Sequence, residues 1–160
     1  MAVSTLEFRR AMGQFATGVT VVTTLDPDGR PLGLTVSAFC SVSLDPVLVL
    51  VCIDNRSETH DGFDASQAFG VSILTEGQEG WSDRFAFGDS EKFTAEPLIT
   101  GANGVPFVPG AAVHLECRVH SRLPGGDHTI YVGEVTKITV KPARPLVYHG
   151  SAYKRLEPEG

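Results

Sequence analysis

Gly33-Leu34-Thr35-Val36-Ser37-Ala38-Phe39-Cys40-Ser41-Val42-Ser43-Leu44-Asp45-Pro46 runs directly into Val47-Leu48-Val49-Leu50-Val51-Cys52-Ile53. Small hydroxylated residues sit between strand formers and then give way to a strand apolar on both faces, so a polar, close-approach surface is built against a core. Thr35, Ser37 and Ser41 supply hydroxyls and, where ladder pairing stops, free backbone N–H groups. A flat, polyphosphorylated molecule could lie there. An ordinary Thr/Ser-rich strand end is the plainer account of the same residues.

Outward from this stretch the pattern is mostly β. Upstream, Gly18-Val19-Thr20-Val21-Val22-Thr23-Thr24 is β-branched and strand-like, and Asp26-Pro27-Asp28-Gly29 supplies turn chemistry before a strand from about Pro31 to Ser37. The two predict an antiparallel hairpin. Further upstream, Ser4-Thr5-Leu6-Glu7 is a capping box opening a helix with one apolar stripe (Phe8, Ala11, Met12, Phe15) that ends near Gly18. Downstream, Ala68 to Leu74 is another strand, with a short helix opening around Ser57 to Asp61 before it. Thr75-Glu76-Gly77-Gln78 repeats the capping-box pattern ahead of a helix carrying Trp81, Phe85 and Phe87, and Gly88 to Gly110 reads as a long Gly- and Pro-rich excursion.

Val113, Leu115, Cys117 and Val119 alternate with His114, Glu116, Arg118 and His120, a half-buried period of two with the second set facing solvent. A second long strand runs from Thr129 to Val140, and Pro145-Leu146-Val147-Tyr148 suggests a last short one. Six or seven strands with few helices predict a mainly β, closed barrel rather than an alternating βαβ sheet. With no repeat, low-complexity tract or linker, residues 1–160 are expected to form one domain.

Composition narrows the function classes. At 160 residues, 42% hydrophobic and 20% charged, the chain can bury a real core. No apolar window reaches membrane-spanning length and Met1-Ala2-Val3-Ser4 does not open a signal segment, so the cytoplasm is the expected compartment, with no membrane partner. A net charge of −6 argues against a nucleic-acid partner. Cys40, Cys52 and Cys117 lack CxxC spacing and read as reduced, buried thiols. His114 and His120 are six residues apart, about 20 Å along a strand, so they cannot share a metal, and no other His spacing suggests one. There is no GxGxxG, no GxxxxGK[ST] and no GxSxG, which removes Rossmann, P-loop and nucleophile-elbow chemistry.

Two polar segments remain. Asp54-Asn55-Arg56-Ser57-Glu58-Thr59 follows the buried strand, where its hydroxyls and amides either cap a short helix or receive an anion, with Arg56 adding charge. Gly125-Gly126-Asp127-His128 is a turn that sets an imidazole at the mouth of a strand. That ring is either a satisfied turn histidine or a group suited to meet a nicotinamide.

Together, Phe8 to Thr24, Thr35-Val36-Ser37-Ala38-Phe39 with Ser41-Val42-Ser43-Leu44-Asp45-Pro46, Gly126-Asp127-His128, and Pro145 to Gly150 with Tyr153 resemble the short-chain flavin reductases, the reductase components of two-component flavin-dependent monooxygenases. The resemblance spans nearly the whole chain. It implies an FMN-binding split β-barrel of Greek-key type that forms a homodimer, binds FMN or FAD, oxidises NADH or NADPH, and passes reduced flavin to a separate monooxygenase. It further implies that Thr35, Val36, Ser37 and Ala38 run along the flavin ring and that Ser41, Asn55, Ser57 and Thr59 lie near its ribityl and phosphate end. Phe85 would border the flavin, while His128 and Tyr153 would meet the nicotinamide nucleotide. No catalytic acid, base or nucleophile is implied, since hydride transfer rests on alignment of the two rings. The alternative is a barrel of the same kind that binds flavin without turnover.

Overall fold

The computed structural model describes residues 2–88, 90–94 and 96–157. The chain opens with helix α1 (Thr5–Met12), where the expected capping box is complete: Ser4 Oγ accepts from the Glu7 N–H at 3.2 Å and Glu7 Oε2 accepts from the Ser4 N–H at 3.0 Å. The helix stops at Gly13 rather than near Gly18, because the Gly13 N–H already closes onto the Ala11 and Arg9 carbonyls and the chain turns toward the sheet. None of its residues is buried; Leu6, Phe8 and Met12 are at least half exposed. The apolar stripe is real, but nothing in the protomer covers it.

After a two-residue strand β1 (Thr17–Gly18), β2 (Thr20–Leu25) and β3 (Pro31–Val36) form the predicted hairpin. Its turn uses Gly29 at φ +79°, a conformation that costs glycine nothing, and Asp26 Oδ1 accepts from the Asp28 and Arg30 N–H groups. Next comes β4 (Phe39–Leu44), folded back on β5 (Val47–Asp54) with an irregularity between Ser41 and Ser43. Helix α2 (His60–Ala65) leads to β6 (Ala68–Ile73), and helix α3 (Glu79–Phe87) follows. The second capping box is only half made. Gln78 Oε1 accepts from the Thr75 N–H, but α3 begins at Glu79 and no side chain caps it.

The excursion beyond α3 holds a 3-10 turn at Ser90–Phe93 and a small hairpin of β7 (Ile99–Thr100) and β8 (Pro106–Phe107). Two 13-residue strands follow, β9 (Val113–Gly125) and β10 (His128–Val140), then a closing hairpin, β11 (Val147–His149) and β12 (Ala152–Lys154), with β11 paired to β1.

Seven strands make one antiparallel sheet in the order β3-β2-β6-β9-β10-β5-β4. Its two edges, β3 and β4, are consecutive in the chain and joined only by Ser37 and Ala38. No ladder connects them; instead the Ala38 carbonyl accepts from the Cys52 N–H of β5. The barrel is therefore split rather than closed, and the split lies within the Thr35–Ser41 stretch.

The interior is filled by Val22, Val51, Ile53, Phe63, Phe69, Val71 and Tyr131, all essentially solvent-free. Phe69 fits because Gly133 lacks a side chain: a Cβ there would lie 2.4 Å from Phe69 Cζ. A second cluster, including Val21, Leu74, Phe85, Val108 and Leu146, seats α3 against the outside of the sheet.

Two further features depart from the sequence reading. His114 and Glu116 do not face water, because the β7–β8 hairpin folds over them. His114 Nε2 lies 2.7 Å from the Val108 carbonyl, while the Glu116 carboxylate accepts the Ala102 and Asn103 N–H groups and pairs with Lys137. Burial raises the Glu116 pKa, but those three donors outweigh it and hold the carboxyl below its ordinary value. Cys40 is exposed and Cys52 half-buried, so only Cys117 is the buried thiol expected of all three; burial pushes Cys117 up to about 12. Alkylation of the native protein at pH 8 is therefore expected to modify Cys40 fastest and leave Cys117 untouched until unfolding, which peptide mass mapping reads directly. Rapid native labelling of Cys117 would contradict this packing.

Candidate functional site

The split edge of the barrel opens into three hollows that share walls. The first, about 630 Å³, lies between β3 and the end of α3 and is bordered at one end by Arg56, Ser57, Thr59 and Lys92. The second, about 390 Å³, shares Thr35, Ala86 and Phe87 with the first and is closed by the β11–β12 hairpin through Tyr148 and Tyr153. The third, about 570 Å³, shares Ser37, Tyr148 and Ser151 with the second and runs along Ala38, Phe39, Cys40 and Cys52. Together they form one trough along the Thr35–Cys40 stretch, with Arg56 and Lys92 beside Asp54 and Glu58 at one end and flat rings in the middle.

Helix α3 holds the trough's walls in place. The Thr35 hydroxyl donates to the Ser82 carbonyl at 2.6 Å, so it fixes β3 to α3. On the other side, the Tyr153 hydroxyl donates to Asp83 Oδ1 at 2.6 Å and lies 2.8 Å from Ser82 Oγ, fixing β12 to the same turn of helix. Burial, and after it the Asp83 contact, hold the Tyr153 phenol above its ordinary pKa, so it stays neutral near pH 7. Phe87, at the end of α3, is 86% exposed over the first two hollows. An apolar ring left this open beside a polar groove suits stacking against a flat ligand.

At the charged end, Ser57 Oγ and Thr59 Oγ1 are 2.8 Å apart. The Arg56 guanidinium contacts both Asp54 oxygens, with its Nη2 3.0 Å from Oδ2, and these contacts hold the Asp54 carboxyl down to about 2. Asp54 is the register partner of His128, which opens β10. The turn before it is made by Gly126 at φ +76°, and His128 Nδ1 lies 2.7 Å from Asp127 Oδ1. Asn55 braces this corner: its N–H donates to the Asp127 carbonyl and its Oδ1 accepts from the Thr129 hydroxyl at 2.8 Å.

The residues singled out in the sequence therefore fall into groups. Thr35, Ser37, Ala38, Ser57, Thr59, Phe85 and Tyr153 line the trough. Val36 points its side chain into the core, so it offers the trough backbone alone, and Phe85 is only 2% exposed, its ring mostly packed beneath α3. Ser41 sits on exposed β4 outside the three hollows. Asn55 and His128 stand at the neighbouring corner, joined to the trough through Asp54, and Tyr153 lies in a different hollow from the one Asp54 borders. Sequence reasoning passed over Ser82, Asp83, Lys92, Tyr148 and Ser151. The last two had a signal in the Tyr148-His149-Gly150-Ser151 turn, where Gly150 and Ser151 both adopt positive φ.

Among the described residues no cluster of side chains could hold a metal ion, and no helix is long and apolar enough to cross a membrane. The frame of the site is thus a split barrel with a long groove lined by hydroxyls, aromatic rings and a mixed set of charges at one end. The profile of the "Flavin reductase like domain" matches residues 12–157, and the chain belongs to that family.

Among its relatives, the NADH-dependent FAD reductase of Streptomyces globisporus is 39% identical over 96% of this chain and 87% of its own length. The reductase subunit of a flavin-dependent monooxygenase from Rhodococcus jostii is 35% identical over 99% of this chain and 81% of its own. A solved structure of a Streptomyces globisporus NADH:FAD oxidoreductase, in complex with NAD and FAD fragments, superposes with a TM-score of 0.91 at 40% identity, covering 96% of this chain and 93% of that one.

Proposed function

We propose that this chain is an NADH:flavin oxidoreductase that reduces FMN or FAD and supplies reduced flavin to a separate flavin-dependent monooxygenase. The observation that carries this reading is the trough. Its donor set fits a flavin: Lys92 and the Ser57 and Thr59 hydroxyls suit phosphate, with Arg56 paired to Asp54 alongside, and Phe87 and the Ser37–Ala38 backbone suit the ring system. When bound, the flavin supplies the hydride acceptor, and the protein supplies no acid, base or nucleophile.

The chain's residues then bind and align. Thr35 and Tyr153 hold the two walls at a fixed spacing through α3, and Phe87 limits water over the ring. His128, at the corner next to the trough, positions the nicotinamide, with Tyr153 of the trough's wall as its companion. The NADH dependence of several relatives supports NADH as the donor. The uncovered apolar face of α1, with Leu6 60% and Phe8 59% exposed, and Phe15 just beyond it, supports a homodimer in which a second copy covers it. Residues 1–160 act as a single domain, and the reduced state of its three cysteines fits the cytoplasm.

The test follows the reduced nucleotide's absorbance with protein, NADH and either flavin present. Flavin-dependent consumption of NADH is expected; binding of flavin without consumption would replace this reading with that of a non-catalytic flavin carrier. The trough also separates two serines. Ser37→Leu is expected to weaken flavin binding about tenfold in a fluorescence titration, whereas Ser41→Leu, outside the hollows, moves it less than about twofold. Equal effects at both positions would misplace the ring.

A further inference from the structure

The corner that carries His128 is braced from behind by a residue that lines none of the three hollows. His60, the first residue of α2, has a side chain only 17% exposed, and its Nε2 lies 3.0 Å from the Thr129 hydroxyl of β10. That hydroxyl donates to Asn55 Oδ1 at 2.8 Å, and the Asn55 N–H donates in turn to the Asp127 carbonyl at 3.0 Å. A hydroxyl has one proton to give. Because Thr129 gives it to Asn55, the His60 bond runs the other way, with Nε2–H as its donor. The order is therefore fixed: His60 to Thr129, Thr129 to Asn55, and Asn55 to the turn that ends in His128.

We infer that His60 is a positioning residue for hydride transfer, acting through Thr129 and Asn55 to hold the Asp127–His128 turn where the imidazole meets the nicotinamide. The inference rests on the reading of His128 as the nicotinamide contact and extends that contact into helix α2, a separate element of the fold.

Strand geometry places the brace on the correct side. Successive side chains leave a strand by opposite faces, so His128 and Thr129 project to opposite sides of β10. Thr129 shares its side with Tyr131, which is fully buried, and the His60 ring meets Tyr131 edge-on with centroids 6.4 Å apart. His60 thus grips the inner side of the strand whose outer side presents His128. The His128 ring is bonded to the Asp127 carboxylate, itself 77% exposed, so the pair is placed only as firmly as the Asp127 main chain. The Asn55 N–H holds that main chain. Bonds chained in this way polarise one another, and loss of the first weakens the rest.

The flavin end is insulated from the same loss. The His60 main-chain N–H donates to the Ser57 carbonyl at 3.0 Å, and Phe63, 1% exposed, anchors α2 in the core. Neither contact uses the imidazole.

The experiment follows stopped-flow reduction of enzyme-bound flavin at varied NADH, with flavin Kd from fluorescence, in wild type, His60→Ala, Thr129→Val and the double variant. His60→Gln is added because its amide N–H reaches the position of Nε2. Each single variant is expected to lower the reduction rate at saturating NADH about fivefold, with the Kd values of NADH and flavin moving less than about twofold. The double variant should be no slower than the singles, since one chain is broken twice, and His60→Gln should recover most of the rate. Thr129→Val keeps the shape of threonine and serves if His60→Ala disturbs α2. A brace for stability alone would lower the denaturation midpoint and spare the saturating rate, which overturns the inference. So do losses that add in the double variant, or a glutamine no better than alanine. Absence of flavin-dependent NADH consumption in the wild type overturns the reading of function and this inference with it, whereas normal wild-type turnover with unmoved variants overturns the inference alone.

Discussion

Replacing His128 by alanine is expected to lower kcat/KM for NADH by about 10- to 100-fold while changing the flavin Kd by less than about twofold. The Asp127 carboxylate, held below its ordinary pKa chiefly by its hydrogen bond to His128, can only accept, so Nδ1 carries the proton of that bond and the ring is held in one orientation, with Nε2 left to meet the carboxamide. Loss of one such hydrogen bond costs about 1 kcal/mol, and loss of alignment between two rings multiplies the effect, since misplacement by about 1 Å can cost about 100-fold. The flavin is spared because no hollow of the trough is lined by His128; its link to the trough is the Asp54 register pair. Stopped-flow reduction at varied NADH reads the loss, and His128→Gln, which restores a polar side chain, should recover part of it. Unaltered NADH kinetics in the alanine variant would remove His128 from the nicotinamide site.

The second large effect is on stability. Phe69→Ala should cost about 3–5 kcal/mol, because a fully buried ring is lost at the centre of the sheet and the vacated space has little means of collapsing. Phe69 lies opposite Cys117 in the register of β6 and β9, and its ring occupies the space that Gly133 leaves on β10. The three central strands are thus packed around one side chain. Since a domain of this size has roughly 5–15 kcal/mol in total, the denaturation midpoint should drop steeply with little change in slope. A midpoint within error of the wild type would mean that the ring is not where the fold puts it.

The β elements were legible wherever a strand was buried on at least one face by its immediate sheet neighbours. Val47 to Ile53 and the Pro31–Ser37 hairpin arm were read to within a residue. Strand β4 was not, because Phe39-Cys40-Ser41-Val42-Ser43-Leu44 is an edge whose face is largely uncovered in the protomer: Leu44 is 91% exposed and gives no buried period to detect. Glu116 and His114 were misread for the opposite reason. Local alternation placed them in water, and only the return of the distant β7–β8 hairpin supplies their partners.

In the site, the hydroxyl-rich wall was visible as composition, and His128 as a turn ending at a strand. The α3 contribution was hidden, since Ser82 and Asp83 gain their meaning from Thr35 and Tyr153, 47 and 70 residues away in sequence. What a sequence motif marks is a surface; the hydrogen bonds that hold two surfaces apart belong to the tertiary fold.

The hydrogen bonds from both walls to one turn of α3 also set an order of events on the ribosome. Once Val140 has emerged, the chain holds the sequence of all seven strands of the main sheet, the residues of the core around Phe69 and the Arg56 to Thr59 segment. Tyr148, Ser151 and Tyr153 are synthesised after that point, so the nascent barrel has a floor and one wall but no opposing one. The wall that Tyr148, Ser151 and Tyr153 supply is consequently added to a sheet whose seven strands all precede it in the chain.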